Sequence, residues 1–522
     1  MSAPTAPGLA VHVGWGATWP SADGFRQLAA DRRVIPVVRR LLADDVTPVG
    51  LYRTLAGGRP GTFILESAEV DGSWARYSFV GVASRATLTV AHGRAVWIGD
   101  VPAGVPLDGA PLDVLGRTLE VLRTPAIPGL PPLTGGLVGA LGWDLVRYWE
   151  PTVPAAAPDE LGVPEMTLCL ATDLAVVDHQ DGSVWLVANA INFDGTDDRV
   201  DDAYTDAVRR LDAMQVSLEH PAPPAMAVLA DTAEPRLEFR STRAEFEASV
   251  VAGKEAIRAG EVFQVVLSQR LDLDCPAAPI DVYRVLRTIN PSPYMYYLQL
   301  QDAAGGDFAV VGSSPETLIK VTDGRVVTFP IAGSRPRGAT PAEDVELAEE
   351  LLTDPKERAE HIMLVDLSRN DLGKVCEAAS VEVIEFMAVK RYSHIMHICS
   401  TVIGRLRPGA TALEALVATF PAGTLSGAPK PRAMALIDAL EPARRGIYGG
   451  TAGYFDLAGD MDMAIAIRTA VIARGRASVQ AGGGIVADSV PALEYAESRN
   501  KAAAAVRAVQ LAARLRPARE LR

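Results

Sequence analysis

SVQAGGGIVADSVPALEYAESRNKAAAAVRAV, residues 478–509, holds a strand end, a glycine run and a long helix in one stretch. Residues 478–480 read as the end of a strand. Gly482, Gly483 and Gly484 read as the departure from it, and Asp488 and Ser489 as a polar turn. Pro491 then opens a helix, because its fixed φ suits the first helical position and its missing N–H is not needed there. On that helix Glu494, Glu497 and Lys501 stand at i, i+3 and i+7 and fall within one narrow arc. Two carboxylates and an ammonium beside three glycines can hold a small anion through a metal ion. The competing assignment is an exposed charged stripe after a glycine turn.

Working outward, strands at 449–456 and 461–473 lead into this stretch, with helices at 412–420 and 429–440 before them. Further upstream come strands at 380–386 and 394–403, helices at 341–352 and 355–376, and strands at 294–300, 308–312, 317–321 and 325–329. Thr242 caps a helix to about 259; a strand-like run at 262–273 and a helix near 280–288 follow. The first half carries helices at 21–30, 50–55, 112–122 and 201–215, and strands at 62–66, 76–82, 86–91, 94–98, 167–178 and 183–190. His92-Gly93 sits where a hairpin would turn. Strands come in runs and helices in pairs, without strict alternation. This predicts an α+β fold of antiparallel sheets with helices outside. The proline-rich segment 218–236 separates an N-terminal region, 1–225, from a second region, 237–518.

Composition narrows the function classes. The chain has 522 residues, 48% hydrophobic and 22% charged, as expected of a soluble protein with more than one domain or one large fold. A formal net charge of −14 without a basic patch argues against nucleic acid. No apolar run approaches the roughly 18 residues of a membrane span. The four cysteines are scattered, without metal-ligand spacing, and read as reduced core thiols of a cytoplasmic protein. No secretory leader is evident.

Several segments could carry chemistry. In PKERAEHIMLVDLSRNDLGKVC (355–376), Glu357, Glu360, His361 and Leu364 share a face. Glu360 beside an apolar run is the kind of carboxylate that needs a partner once buried. That partner is either Mg²⁺, shared with Glu497, or a salt bridge to Arg358, Arg369 or Lys501. In SHIMHICS (393–400), His394 and His397 would face opposite ways on a strand, and a lone histidine there is ordinarily a core residue. FPAGTLSGAPK (420–430) offers the Thr424 and Ser426 hydroxyls and backbone N–H groups, but it lacks P-loop spacing and also reads as a plain turn. Arg468, ending MAIAIRT, is placed to grip a carboxylate or to sit on the surface. Together these suggest a pocket for a small dicarboxylate, and residue-level reasoning stops there.

The motifs themselves go further. GEVFQVVLSQR (260–270), NPSPYMYYL (290–298), GSSPETL (312–318), PIAGSRPRG (330–338), EHIMLVDLSRNDLGKVC (360–376), ATFPAGTLSGAPK (418–430), IYGGTAGYFD (447–456), AIAIRTA (464–470), QAGGGIVADS (480–489) and EYAESRNKA (494–502) stand in order. In them the chain resembles the chorismate-utilising enzymes, and within that family the anthranilate synthase component I branch. The resemblance is weak before residue 60 and strong after about 240. It implies two large facing antiparallel β-sheets flanked by helices. Two positions sort the branches. Isochorismate and salicylate synthases carry lysine where this chain has Gln264, since water as nucleophile needs a general base. Aminodeoxychorismate synthases carry a nucleophilic lysine where this chain has Ala332. Both positions imply ammonia as nucleophile and anthranilate as product.

The resemblance also implies roles. Glu360 and Glu497 would hold Mg²⁺. Glu316, His397 and Thr424 would be catalytic, Glu316 as the acid for the leaving hydroxyl and His397 removing the C2 proton. Gly333, Ser334, Tyr448, Arg468, Gly482, Gly483, Gly484 and Lys501 would bind chorismate. Ser67, Arg76, Pro293, Tyr294 and Met295 would line a feedback site for L-tryptophan. Ser334 replaces the family's usual threonine and keeps its hydroxyl; nothing is drawn from the variant Gly142-Trp143-Asp144. No cysteine sits in a glycine-rich elbow, so ammonia is expected from a separate glutamine amidotransferase subunit in a hetero-oligomer, a heterotetramer. The rivals are an aminodeoxychorismate synthase component I, which Ala332 disfavours, and an inactive tryptophan-binding regulator.

Overall fold

The computed structural model describes residues 11–68, 76–223, 225–231, 233–391 and 395–518. Its core is a continuous network of antiparallel strands divided into two layers by one long, bent pair. Tyr77–Ala91 and Met166–Asp178 run together, and their register shifts repeatedly between Gly81 and Ala86. Bulges there bend both strands, so each serves two layers. The sequence had suggested separate strands at 76–82 and 86–91; the chain stays extended through the bulge instead.

The first layer runs Arg94–Gly99, the bent pair, Gly136–Leu141, Thr451–Asp456, Met461–Ile465, Thr317–Thr322, Arg325–Thr328 and Ile395–Arg405. Ile331–Pro336 and Glu382–Arg391 both pair with that last strand. The second layer runs Thr18–Trp19, Val34–Leu42, Ser183–Ile191, the bent pair, Thr62–Glu66, Tyr294–Gln301, Asp307–Ser314, Thr469–Ala473, Arg476–Ile485 and Gln264–Asp274. The strand Val34–Leu42 has no counterpart in the sequence reading, where Pro36 looked like a breaker. Pro36 is tolerated because, among the described residues, the pairing on the strand's other side involves Val38, Arg39 and Arg40 and leaves Pro36 out.

Alternation places side chains between the layers and outside them. Tyr296, Leu298 and Val310 of the second layer meet Val138, Ala140 and Ala452 of the first in the inner core. On the outer face of the second layer, Met295, Val311 and Ile472 pack under helices Val200–Glu219, Pro279–Ile289 and Pro491–Ala513. On the first layer, Leu137, Phe455 and Met463 pack under Pro111–Val121, Ala412–Thr419 and Lys430–Leu440. At about 25 cal/mol per Å² of apolar surface removed from water, each fully buried Leu or Val contributes roughly 1.5–3 kcal/mol. The result is the expected α+β architecture.

Two departures from the sequence reading matter for the site. The single strand expected at 461–473 is two strands, Met461–Ile465 and Thr469–Ala473, belonging to different layers. Arg468, at φ 51°, stands in the crossover. Nor do Gly482, Gly483 and Gly484 leave their strand; they continue it to Ile485, opposite Ser268, Leu267 and Val266.

Candidate functional site

Close approach requires glycine at 482, where the neighbour is backbone; at 483 and 484 the neighbours are side-chain ends. A Cβ at Gly482 would lie 2.2 Å from the Leu267 carbonyl oxygen, and one at Gly484 2.1 Å from Gln264 Nε2. A Cβ at Gly483 would lie 3.2 and 3.3 Å from carboxylate oxygens of Glu494 and Glu497. The bare strand therefore forms a wall against the first turns of helix Pro491–Ala513. Lys501 Nζ pairs with Glu497 Oε1 at 2.8 Å, one helical turn away.

Glu360 comes to this wall from helix Pro355–Gly373, which Asp354 caps through the Lys356 and Glu357 N–H groups. Burial pushes the Glu360 carboxyl up, and its neighbours Glu357 and Glu497 push it further, against Lys356 and Lys501. Glu494 is raised in the same way, by burial and by Glu497. Four carboxylates thus share two ammonium groups and, at Glu357, the Arg335 guanidinium 3.6 Å away, leaving a negative surplus that suits a divalent cation. Of the alternative partners, Arg358 donates to the Leu352 carbonyl and Arg369 pairs with Asp366, while Lys501 pairs with Glu497 and its charge also acts on Glu360. Among the described residues, no three His, Cys, Asp or Glu side chains enclose an ion by themselves. Mg²⁺, which keeps several waters, needs only one or two carboxylates. His361, read as sharing the Glu360 face, is instead a core residue bonded to Ser400 Oγ at 2.6 Å, its pKa pushed down to about 4 by burial.

The acid–base candidates lie where the two layers meet. Glu316 sits in the turn between Asp307–Ser314 and Thr317–Thr322, lining a small cavity with Thr424. Burial pushes its pKa up to about 7; the Thr424 hydroxyl, donating to Oε1 at 3.0 Å, and the charge of Lys501 oppose that rise. His397 lies opposite Ser334 across a bulged register, and Gly333 takes φ 64° at the bulge. His397 Nδ1 lies 2.9 Å from the Gly333 carbonyl, an acceptor only, so Nδ1 carries the proton and Nε2 is the basic nitrogen. Burial depresses the His397 pKa, and the cations Arg468 and Lys501 depress it further. Arg468, its guanidinium itself held down by burial, is paired with no carboxylate among the described residues. His394 lies outside the described residues.

A second cavity lies between the layers. Ser67, Arg76, Pro293, Tyr294 and Met295 all line it. Ser67 Oγ is buried there without a hydrogen-bond partner among the described residues. Arg76 is already committed to Asp178, at 3.1 and 2.9 Å. The Tyr294 hydroxyl donates to Asp462 at 2.8 Å and accepts from Thr317 Oγ1 at 3.0 Å, next to Glu316.

Sequence reasoning missed the group beneath the site. Arg445 and Glu441 form a buried bidentate pair at 2.9 and 2.7 Å, and the Arg445 guanidinium stacks on Trp143 and faces Tyr448. The only signal was a glutamate and an arginine four residues apart just ahead of IYGG.

Comparison with known proteins gives a consistent result. The family described as chorismate binding enzyme matches residues 65–507. The chain is 58% identical over 499 residues to anthranilate synthase component 1 of Arthrobacter globiformis, covering 95% of this chain and 94% of that protein. It is 54% identical over 514 residues to the protein of the same name from Mycolicibacterium smegmatis, covering 98% and 97%. Among solved structures, anthranilate synthase component I from Streptococcus pneumoniae superposes with a TM-score of 0.73 at 38% identity, over 83% of this chain and 92% of that one. The menaquinone-specific isochorismate synthase from Escherichia coli shares the fold, with a TM-score of 0.68 at 20% identity over 92% and 95%.

Proposed function

The chain belongs to the chorismate binding enzyme family, and from that premise we propose that it is an anthranilate synthase large subunit, converting chorismate and ammonia to anthranilate, pyruvate and water. The observation that carries this reading is 58% identity along nearly the full length of an anthranilate synthase component 1. The choice of nucleophile has separate support. Gln264 is buried and cannot take a proton, and Ala332 is buried and offers no amine.

The residues divide the reaction between them. Arg468, Tyr448, Ser334 and the glycine wall bind the substrate, and Lys501 supports its ring carboxylate. Glu360 and Glu497 are the residues that would hold Mg²⁺, which when bound orients that carboxylate and draws negative charge toward it. Glu316, with a pKa near neutrality, gives its proton to the departing 4-hydroxyl, which leaves as water while ammonia adds at C2. His397 Nε2 then takes the C2 proton as the enolpyruvyl group leaves to become pyruvate and the ring becomes aromatic.

Regulation and partner follow on the same reading. On this reading L-tryptophan binds in the cavity lined by Ser67 and Tyr294, and support comes from the Tyr294 hydroxyl, which is bonded to the neighbour of Glu316. All four cysteines are buried, and burial raises the Cys275 and Cys376 thiols to about 11, unsuited to attacking glutamine. Ammonia then comes from a separate glutamine amidotransferase subunit in a cytoplasmic hetero-oligomer. No helix among the described residues is long and apolar enough to cross a membrane.

The test is to incubate the purified chain with chorismate, an ammonium salt and Mg²⁺ and follow anthranilate fluorescence. Product is expected, with loss on adding EDTA and inhibition by tryptophan. Accumulation of 4-amino-4-deoxychorismate or isochorismate instead would overturn the assignment of nucleophile.

A further inference from the structure

The Arg445 side chain is about 1% exposed, and its contacts reach the 420–430 loop, the strand behind the glycine wall and the Tyr448 ring. Nη1 donates to the carbonyl of Leu425, the residue after Thr424, at 2.7 Å. Nη2 donates to the carbonyl of Val266, the strand partner of Gly484, at 2.8 Å. Nε and Nη2 clasp the two oxygens of Glu441. Glu441 Oε1 in turn accepts from the N–H of Ser268, at 2.9 Å, and its hydroxyl, at 2.7 Å; Ser268 is the strand partner of Gly482. Gln480 Nε2 completes the network on Ser268 Oγ at 2.8 Å. The Arg445 Cζ lies 4.3 Å from the Trp143 ring centroid and 5.4 Å from that of Tyr448.

A buried ion pair is a poor device for stability alone, since an apolar pair of similar volume usually serves as well or better. Its strength is directional: a planar fork fixes several acceptors at set angles at once. Here the two carbonyl acceptors belong to separate segments, the 420–430 loop that carries Thr424 and the strand Gln264–Asp274 that backs the glycine wall, while the face of the guanidinium lies against the Tyr448 ring. We infer that the Arg445–Glu441 pair is a positioning device for the reaction, holding Thr424 on Glu316 and the glycine wall in register. This rests on the reaction proposed above.

The test compares wild type with Arg445→Lys and Glu441→Gln, each as the full chain, counting active sites by folded fraction. Lysine keeps the charge but loses the fork; glutamine keeps the shape but loses one acceptor. Misplacing a reacting group by about 1 Å can reduce turnover roughly 100-fold. The expected result is therefore a fall in kcat of at least about tenfold per folded enzyme, a KM rising less than kcat falls, and an alkaline limb of the pH–rate profile shifted upward as the Thr424–Glu316 bond loosens. Tryptophan binding, read by calorimetry in the separate cavity, stays as in wild type. Should either variant fail to fold, the other and Gln480→Leu, which removes only the outermost donor, give the same comparison. A kcat per folded enzyme and a pH profile within twofold of wild type would overturn the inference. If wild type itself makes no anthranilate, the assigned reaction fails first, and the inference with it.

Discussion

At the residue scale, the site depends on two groups that burial moves in opposite functional directions. Desolvation favours the neutral form of both, so it raises Glu316 and lowers His397. Glu316 can then be a protonated donor near neutral pH while His397 remains an unprotonated acceptor. The pH dependence of kcat should accordingly be a bell, with its alkaline limb near 7 from Glu316 and its acid limb below the ordinary imidazole range. Thr424 tests the assignment. Its hydroxyl hydrogen-bonds the carboxylate, favouring the charged form, so Thr424→Val should raise the Glu316 pKa and move the alkaline limb to higher pH. A limb that stays in place, or moves down, would show that Glu316 is not the acid being titrated.

At the element scale, the informative feature is a strand that carries three glycines near its end, the first against a backbone carbonyl. Gly482 lies in regular antiparallel pairing, yet its Cβ direction points at the Leu267 carbonyl oxygen. Gly482→Ala should therefore force the two strands apart. Overpacking of this kind destabilises by about 1–3 kcal/mol, a fall in Tm readable by differential scanning calorimetry. The same variant should raise KM for chorismate, because the wall moves with the strand. Arg468 illustrates the same point in a crossover: a left-handed backbone between two strands of different layers turns its side chain away from the alternation either strand would impose.

At the scale of the whole molecule, the site draws on both layers and on two helices far apart in the chain. Glu360 and Glu497 are 137 positions apart, yet they influence each other's neighbourhood across the glycine wall. Their surplus charge predicts a stability linkage independent of turnover. Mg²⁺ at about 100 times its dissociation constant should stabilise the fold by roughly 2.7 kcal/mol, seen as a higher Tm. Glu497→Gln should remove most of that shift. An equal shift in the variant would place the ion elsewhere.

Much of this was legible in the chain itself. Proline at 491 and the Thr242 cap follow local stereochemistry, so the helices they predict are found. Gln264 and Ala332 could be weighed because a side chain's chemistry is present in the sequence. Local signals could not separate a glycine turn from a glycine strand, since what forbids a Cβ at residue 482 is the approach of the Leu267 carbonyl from more than 200 positions away. Nor could they split 461–473, where the alternation of apolar residues continues although the backbone changes layer. Residue types and local propensities are properties of the chain alone. Which carboxylates share a cavity, which carbonyls Arg445 gathers and how far burial moves Glu316 depend on long-range packing, and only the tertiary structure decides them.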